Sequence, residues 1–150
     1  MSGVQTGGED RLVSLPAQTL ARALTRLAEG LSPQQILALS QDIFAGRLAM
    51  VSSFGAESAA LLHMTAEIDR DMPVLFLETG MLFSATLDYQ RDLAARLGLQ
   101  DVRLIRPDAA ALEAEDAQGS LHATDPDACC SLRKTRPLEH ALAPFSAWIT

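Results

Sequence analysis

The sequence predicts an α/β fold: a three-layer parallel sheet with helices on both faces, entered through a helical N-terminal lead. Short apolar runs at Leu48–Val51, 73–77 and Val102–Ile105 alternate with longer stretches of helical periodicity. Strands spaced in this way pair in parallel through right-handed crossovers. Ala and Leu each occur 24 times in 150 residues, while aromatics make up 5%. Strong helix formers therefore dominate, and the sheet should be small.

Each element has a local reason. Residues 1 to about 10 are rich in Gly and Ser and are expected to be mobile. A helix is expected over 16–29, where Leu20, Leu24, Leu27 and Leu31 share one face and Gly30 can end it. A second opens at Ser32-Pro33-Gln34-Gln35, which has Ser at the N-cap, Pro at the first helical position and Gln at the third, and should run to about Ala45. These 45 residues form the lead, and 46–150 form the α/β domain. Leu48–Val51 is too short for a helix and suits a buried strand. The turn at 52–58 should hand over to a helix from Ala59 to about Ile68. Residues 73–77 form the second strand, closed by Glu78-Thr79-Gly80, and a helix follows from Ser84 to Leu97, ended by Gly98. Val102–Ile105 is the third strand. The acidic, Ala-rich stretch 108–124 suits helix or surface loop. Asp125-Pro126 starts another helix, broken or bent at Pro137, and Ala147-Trp148-Ile149-Thr150 opens a fourth strand.

Charge and composition narrow the function. Twelve Lys and Arg against nineteen Asp and Glu give a net charge of −7. That excludes a general binder of nucleic acid or of an anionic membrane, though a few local cations can still hold a small anion. No apolar run approaches the roughly 18 residues of a membrane span. The N-terminus lacks the basic and apolar segments of a secretory signal, so the expected location is the cytoplasm. The two cysteines are neighbours, Cys129 and Cys130. Adjacent cysteines fit disulfide geometry poorly, so metal binding or redox chemistry is the better reading.

Ligands of parallel sheets bind at the carboxyl ends of the strands, beside the topological switch point. That rule selects 52–58, 78–80 and the segment after Pro107. In Ser52-Ser53-Phe54-Gly55-Ala56-Glu57-Ser58, three hydroxyls and several free N–H groups meet a helix N-terminus, which suits a phosphate or sulfate. The same residues also suit a plain strand-to-helix turn with serine caps. The Walker spacing, its Lys and the GxGxxG pattern are missing. Cys129 and Cys130 lie just inside a predicted helix and precede Arg133, Lys134 and Arg136. Both features favour thiolate, although two adjacent cysteines can also be plain buried apolar groups.

Segment 52–63, SSFGAESAALLH, resembles the phosphate-loop segment of the adenylyl-sulfate and phosphoadenylyl-sulfate reductases, relatives of the ATP-pyrophosphatase superfamily. VLFLETGMLF at 74–83 resembles their second motif, with Glu78 where Asp is usual and Ser84-Ala85 in place of Pro-Glu. DPDACCSLRK at 125–134, with Pro137-Leu138, resembles the third, and Ala147-Trp148-Ile149-Thr150 the start of a WITG segment. The likeness covers about residues 45–150, with its motifs in the family's order.

The resemblance implies a fold of the adenine nucleotide alpha-hydrolase type and reduction of adenylyl sulfate to sulfite and AMP in sulfate assimilation. Thioredoxin or a similar dithiol would be the reductant, and the likeness leaves room for a homo-oligomer. It implies a nucleotide site at Ser52, Ser53, Phe54, Gly55, Ser58, Leu77, Glu78, Thr79, Gly80, Arg133 and Lys134. Lys134 matches the lysine between cluster and substrate. Cys129 and Cys130 match two of the four ligands of a [4Fe–4S] cluster, and the Cys pair marks the branch acting on adenylyl sulfate. The other two ligands and the nucleophilic Cys would lie beyond Thr150, so the chain reads as the N-terminal part of a longer enzyme. Three other readings are a reductase of the 3′-phosphorylated substrate, an ATP-pyrophosphatase such as a sulfurtransferase, and a catalytically incomplete nucleotide- or metal-binding module.

Other side chains have more ordinary readings. His63 should sit in or beside the core, His122 is a weak zinc candidate near Cys129, and His140 should cap or flank the last helix. Without a GxSxG motif, a Ser-His-Asp hydrolase has little support. Glu57 and Glu78 could act as acid and base but are ordinary at helix starts. Arg103 and Arg106 either add positive potential at the ligand edge or are solvated. The run Glu113-Ala114-Glu115-Asp116 reads as a solvated face.

Overall fold

The computed structural model describes residues 15–150, so the expectation of a mobile segment at 1–10 lies outside the described residues. Two helices precede the sheet, α1 (Ala17–Ala28) and α2 (Pro33–Ile43). In α1 the apolar stripe is only partly used: Leu20 and Leu24 pack on the core, whereas Leu27 is exposed. The capping box of α2 forms as expected. Ser32 Oγ accepts the Gln35 N–H at 3.3 Å, and Gln35 Oε1 accepts the Ser32 N–H at 2.8 Å. The helix stops at Ile43, before the expected Ala45, and the buried Phe44 becomes its C-cap.

The sheet and its crossovers follow as β1 (Leu48–Val51), α3 (Ala56–Ile68), β2 (Val74–Leu77), α4 (Ser84–Leu97) and β3 (Val102–Ile105). The chain continues through α5 (Ala109–Asp116), α6 (Leu121–Thr124), α7 (Pro126–Cys130), a π-helical turn (Ser131–Thr135) and α8 (Arg136–Leu142) to β4 (Ala147–Ile149). The strands are all parallel, in the order β3-β2-β1-β4. The chain steps from β1 out to β3, then returns past its start to pair β4 with β1. Right-handed crossovers place α3 and α4 on one face and the α5–α8 return on the other. α3 packs on α4, and α8 packs on β2 and β3. This is the expected parallel α/β architecture.

The core lies around β1 and β2. Met50, Leu62 and Val74 are fully buried, and the rings of Phe54 and Phe76 meet edge to face with centroids 5.5 Å apart. Phe54 has φ +57°, a left-handed conformation that costs an L-residue roughly 1–2 kcal/mol. Burial of its ring, worth roughly 1.5–3 kcal/mol, offsets that strain.

Three local departures have physical causes. α3 begins at Ala56 rather than Ala59 because the turn closes early. Ser52 Oγ accepts the Phe54 N–H at 3.0 Å, Ser53 Oγ accepts the Gly55 N–H at 3.4 Å, and extended Gly55 is the N-cap. The irregularity expected at Pro137 lies upstream of it, in the π-helical turn, where the Arg136 N–H donates to Ser131 O. Pro137 has no N–H, and in a regular helix its ring would press on the Arg133 carbonyl. The wider turn separates them, and α8 runs on. The stretch after Pro107 resolves into α5, capped by Asp108 Oδ2 on the Ala111 N–H at 2.8 Å, and the short α6.

Leu62 has no exposed surface, so Leu62→Ala should remove about 3 kcal/mol of unfolding free energy in a denaturant titration. A loss below about 1 kcal/mol would contradict this packing.

Candidate functional site

The sheet reverses direction beside β1, and a cavity of about 350 Å³ opens there at the carboxyl ends of the strands. Ser52 and Ser53 reach it from the turn after β1, and Ser58 and Leu61 from α3. Leu77 and Thr79 enter from the end of β2, Leu82 and Thr86 from the start of α4, and Thr150 from the end of β4. Among the described residues, Lys134 is the one cationic side chain on its wall. The first backbone bond of α3 runs from the Ala59 N–H to Gly55 O at 3.1 Å. The N–H groups of Ala56, Glu57 and Ser58 precede it and have no acceptor within the helix. A 13-residue helix thus ends on free donors beside three serine hydroxyls and an ammonium, an arrangement suited to a phosphate or sulfate ester.

A second cavity, also of about 350 Å³, adjoins the first and is bounded by Met81, His122, Cys129, Cys130 and Arg133. Thr79, Leu82 and Lys134 belong to both. Lys134 therefore stands between the serine turn and the cysteine pair.

The expected site residues divide into two groups. Ser52, Ser53, Ser58, Leu77, Thr79 and Lys134 meet at the first cavity. Phe54, Gly55, Glu78 and Gly80 do not line it, and Arg133 lines the second. Phe54 is a core ring, and Gly55 brings the turn close to Ser53. Glu78 holds its own loop: Oε1 accepts the Gly80 N–H at 2.8 Å, and Oε2 accepts from Arg106 Nε at 2.9 Å. Gly80 has φ +74°, and a Cβ there would come within 3.5 Å of Arg133 Nη1. Leu61, Leu82, Thr86 and Thr150 line the site without having been singled out in the sequence. Leu61, Leu82 and Thr150 fall within the segments that carry the resemblance, and Thr86 is signalled only by its place near a helix start.

The four arginines between Arg103 and Arg136 are occupied. Arg133 is buried; its Nη1 donates to Thr79 O at 2.9 Å and its Nη2 to Asp116 Oδ2 at 2.6 Å. Asp116 Oδ1 accepts the Leu121 N–H at 2.9 Å. The Arg133 guanidinium, with help from that N–H, holds the Asp116 carboxyl below the usual carboxylate range. Glu115 takes both terminal nitrogens of Arg136, at 2.7 and 2.8 Å, and its carboxyl is likewise lowered. The acidic run is therefore not simply a solvated face: Glu113 is exposed, but Asp116 is buried and Glu115 is paired. Arg103 forks onto Asp101 and lies over the Phe145 ring, and Arg106 pairs with Glu78, so both are matched by carboxylates away from the first cavity.

The histidines add little. His63 is an exposed flank residue, 3.5 Å from Glu67. His122 contacts Gly119 O through Nδ1 at 2.9 Å, and His140 lines a separate hollow beside β3. Among the described residues, no three His, Cys, Asp or Glu side chains are grouped to hold a metal ion. Cys129 is buried and Cys130 exposed, both at the second cavity beside Lys134 and Arg133. This donor set fits half of a four-thiolate site.

Residues 47–150 match the family described as the phosphoadenosine phosphosulfate reductase domain. The chain is 48% identical over 131 residues to the adenosine 5′-phosphosulfate reductase of Mesorhizobium japonicum, covering 87% of this chain and 52% of that protein. It is 48% identical over 105 residues to a protein of the same name from a Chelativorans species, covering 70% of this chain and 43% of the relative. The phosphoadenosine 5′-phosphosulfate reductase of Gloeobacter violaceus is 37% identical over 133 residues, covering 88% and 55%. The phosphoadenylyl-sulfate reductase of Candida auris, solved as a phosphate complex, shares the fold, with a TM-score of 0.69 at 23% identity over 85% of this chain and 63% of that one. The chain spans about half the length of the curated relatives it matches.

The depressed Asp116 carboxyl sets a pH dependence. Its contribution to stability is present above the ordinary value of 3.8 and is lost as pH falls through the lower folded-state value. The melting temperature should therefore drop more steeply below pH 3.8 in the unaltered chain than in Asp116→Asn. Parallel curves would contradict the pairing.

Proposed function

Since the chain belongs to the phosphoadenosine phosphosulfate reductase family, we propose that it forms the nucleotide-binding part of an enzyme reducing adenylyl sulfate to sulfite and AMP. The observation that carries this reading is the first cavity, where the free N–H groups of α3 and the hydroxyls of Ser52, Ser53 and Ser58 face Lys134. The donors would hold the phosphosulfate, and the Lys134 ammonium would offset negative charge on the sulfonate. Thr79 and Leu77 would flank the nucleoside.

The reaction is three successive displacements. A cysteine thiolate attacks the sulfonate sulfur, forming an S–S bond while the S–O bond to the phosphate breaks. AMP leaves with that bonding pair, and an S-sulfonated cysteine remains. A dithiol such as thioredoxin then attacks the cysteine sulfur and releases sulfite. The first thiol is left in a mixed disulfide with the cysteine. The second thiol of the dithiol displaces the cysteine from it, so the dithiol leaves as a disulfide, having supplied the two electrons, and the cysteine thiol is restored. The cysteines of this sequence are Cys129 and Cys130, and both are assigned to the cluster, so the nucleophile would be supplied from outside these 150 residues. Lys134 serves the first displacement by stabilising charge on the oxygens of the sulfonate.

Cys129 and Cys130 would supply two of the four thiolates of a [4Fe–4S] cluster, with the other two from outside these residues. When bound, the cluster would tune the electrostatics near the sulfonate. We place the reaction in the cytoplasm, where dithiols are kept reduced, as a step of sulfate assimilation. No helix among the described residues is long and apolar enough to cross a membrane.

Adenylyl sulfate is preferred over its 3′-phosphorylated form for two reasons. The Cys pair is present, and among the described residues Lys134 is the only cation on the cavity wall. The name of the Gloeobacter relative favours the phosphorylated substrate as a second reading.

Calorimetric titration with each nucleotide separates these readings. Adenylyl sulfate should bind the chain more tightly than its 3′-phosphorylated form. Lys134→Ala should weaken adenylyl sulfate binding about ten-fold or more, the usual effect of losing a charge-assisted hydrogen bond. Gly55→Val should weaken both nucleotides by crowding Ser53. Absence of binding, or indifference to Lys134→Ala, would overturn the assignment.

A further inference from the structure

Resting on the reductase reading, we propose that Asp116 is a positioning residue: through Arg133 it fixes where Lys134 stands between the two cavities. Three segments distant in sequence meet at the Arg133 guanidinium. Nη1 is bonded to Thr79 O in the loop after β2, and Nη2 to Asp116 at the end of α5. Asp116 is bonded in turn to the Leu121 N–H, which starts α6. Both side chains of the pair are more than nine-tenths buried, and among the described residues Arg133 Nε is buried without a partner. Burying a guanidinium with one nitrogen unsatisfied costs free energy that a purely structural contact could avoid with apolar side chains. The arrangement is explained if the fork is needed to set geometry.

The geometry it sets is local. Arg133 and Lys134 are successive residues of the π-helical turn. Arg133 turns into the protein toward Thr79 and Asp116, while Lys134 faces both cavities. Thr79 borders both cavities as well, so the fork ties the lysine-bearing turn to the opposite wall of the site. Without the Asp116 carboxylate, the guanidinium loses its charged anchor and the Leu121 N–H loses its acceptor. The turn then holds Lys134 less firmly. The effect should fall on the sulfonate, which Lys134 contacts in the proposed reading, and not on the phosphate at the α3 N-terminus.

The test is the ratio of AMP to adenylyl sulfate dissociation constants for the full chain, because AMP lacks the sulfonate. Lys134→Ala defines the ratio without the lysine. Asp116→Asn keeps the shape but removes the charge and one of the two acceptors, because its amide NH2 cannot accept from Arg133 Nη2 or from the Leu121 N–H. It should lower the ratio about five- to ten-fold toward the Lys134→Ala value, with AMP affinity changed less than about two-fold. If Asp116→Asn fails to fold, Arg133→Lys provides the same measurement, because a lysine cannot bond Asp116 and Thr79 O through a planar fork. A wild-type ratio in a folded variant, even one with a lowered melting temperature, would make Asp116 merely structural and overturn the proposal. If the unaltered chain already binds AMP and adenylyl sulfate equally, the reductase reading fails at its root and the proposal falls with it.

Discussion

The position of β1 constrains everything else in this molecule. It is the innermost strand at the point where the chain reverses, with β2 on one side and β4 on the other. Leu48, Ala49 and Met50 are buried, so the strand must be apolar throughout. Its two neighbours are reached by crossovers of opposite direction, and the connections at their carboxyl ends diverge. A crevice is left over the end of β1, and the first polar residues after the strand, Ser52 and Ser53, necessarily border it. The strained Phe54 belongs to the same constraint. Its side chain anchors the turn in the core through Phe76 and leaves the N-terminus of α3 aimed at the crevice.

The opposite wall is set by charge. A parallel sheet alone would not bring Lys134 near Ser52, because the intervening segment crosses the other face as several short helices. The fork of Arg133 onto Thr79 O and Asp116, reinforced at the surface by the Arg136–Glu115 pair, locates the π-helical turn. Pro137 contributes by excluding a regular helix there. The wider turn it enforces lets Arg133 and Lys134, although adjacent, face different parts of the structure. Cys129 and Cys130 ride on the helix immediately before, so the lysine lies between cysteines and serines as a consequence of backbone geometry.

Much of this was legible in the sequence because it is locally encoded. The Ser32–Gln35 capping box, the apolar run Leu48–Val51, and the helix Ser84–Leu97 ended by Gly98 each depend on neighbouring residues, and each forms where local rules place it. The serine turn was legible for the same reason, although its hydroxyls close it three residues earlier than expected. What escaped was non-local. Asp116 reads as one more acid in an acidic run, and its burial depends on an arginine 17 residues away. Glu78 was expected at the nucleotide, but Arg106, 28 residues away, draws it to the loop. Neither pairing leaves a periodic or spacing signal. Leu82, Thr86 and Thr150 reach the cavity through tertiary packing alone.

The most direct test is a crystal structure of the chain with adenylyl sulfate bound. The account predicts the nucleotide phosphate against the N–H groups of Ala56, Glu57 and Ser58, the sulfonate toward Lys134 Nζ, and Arg133 still forked between Thr79 O and Asp116. A nucleotide seated instead in the hollow beside β3, or a phosphosulfate out of reach of both the α3 N-terminus and Lys134, would contradict it.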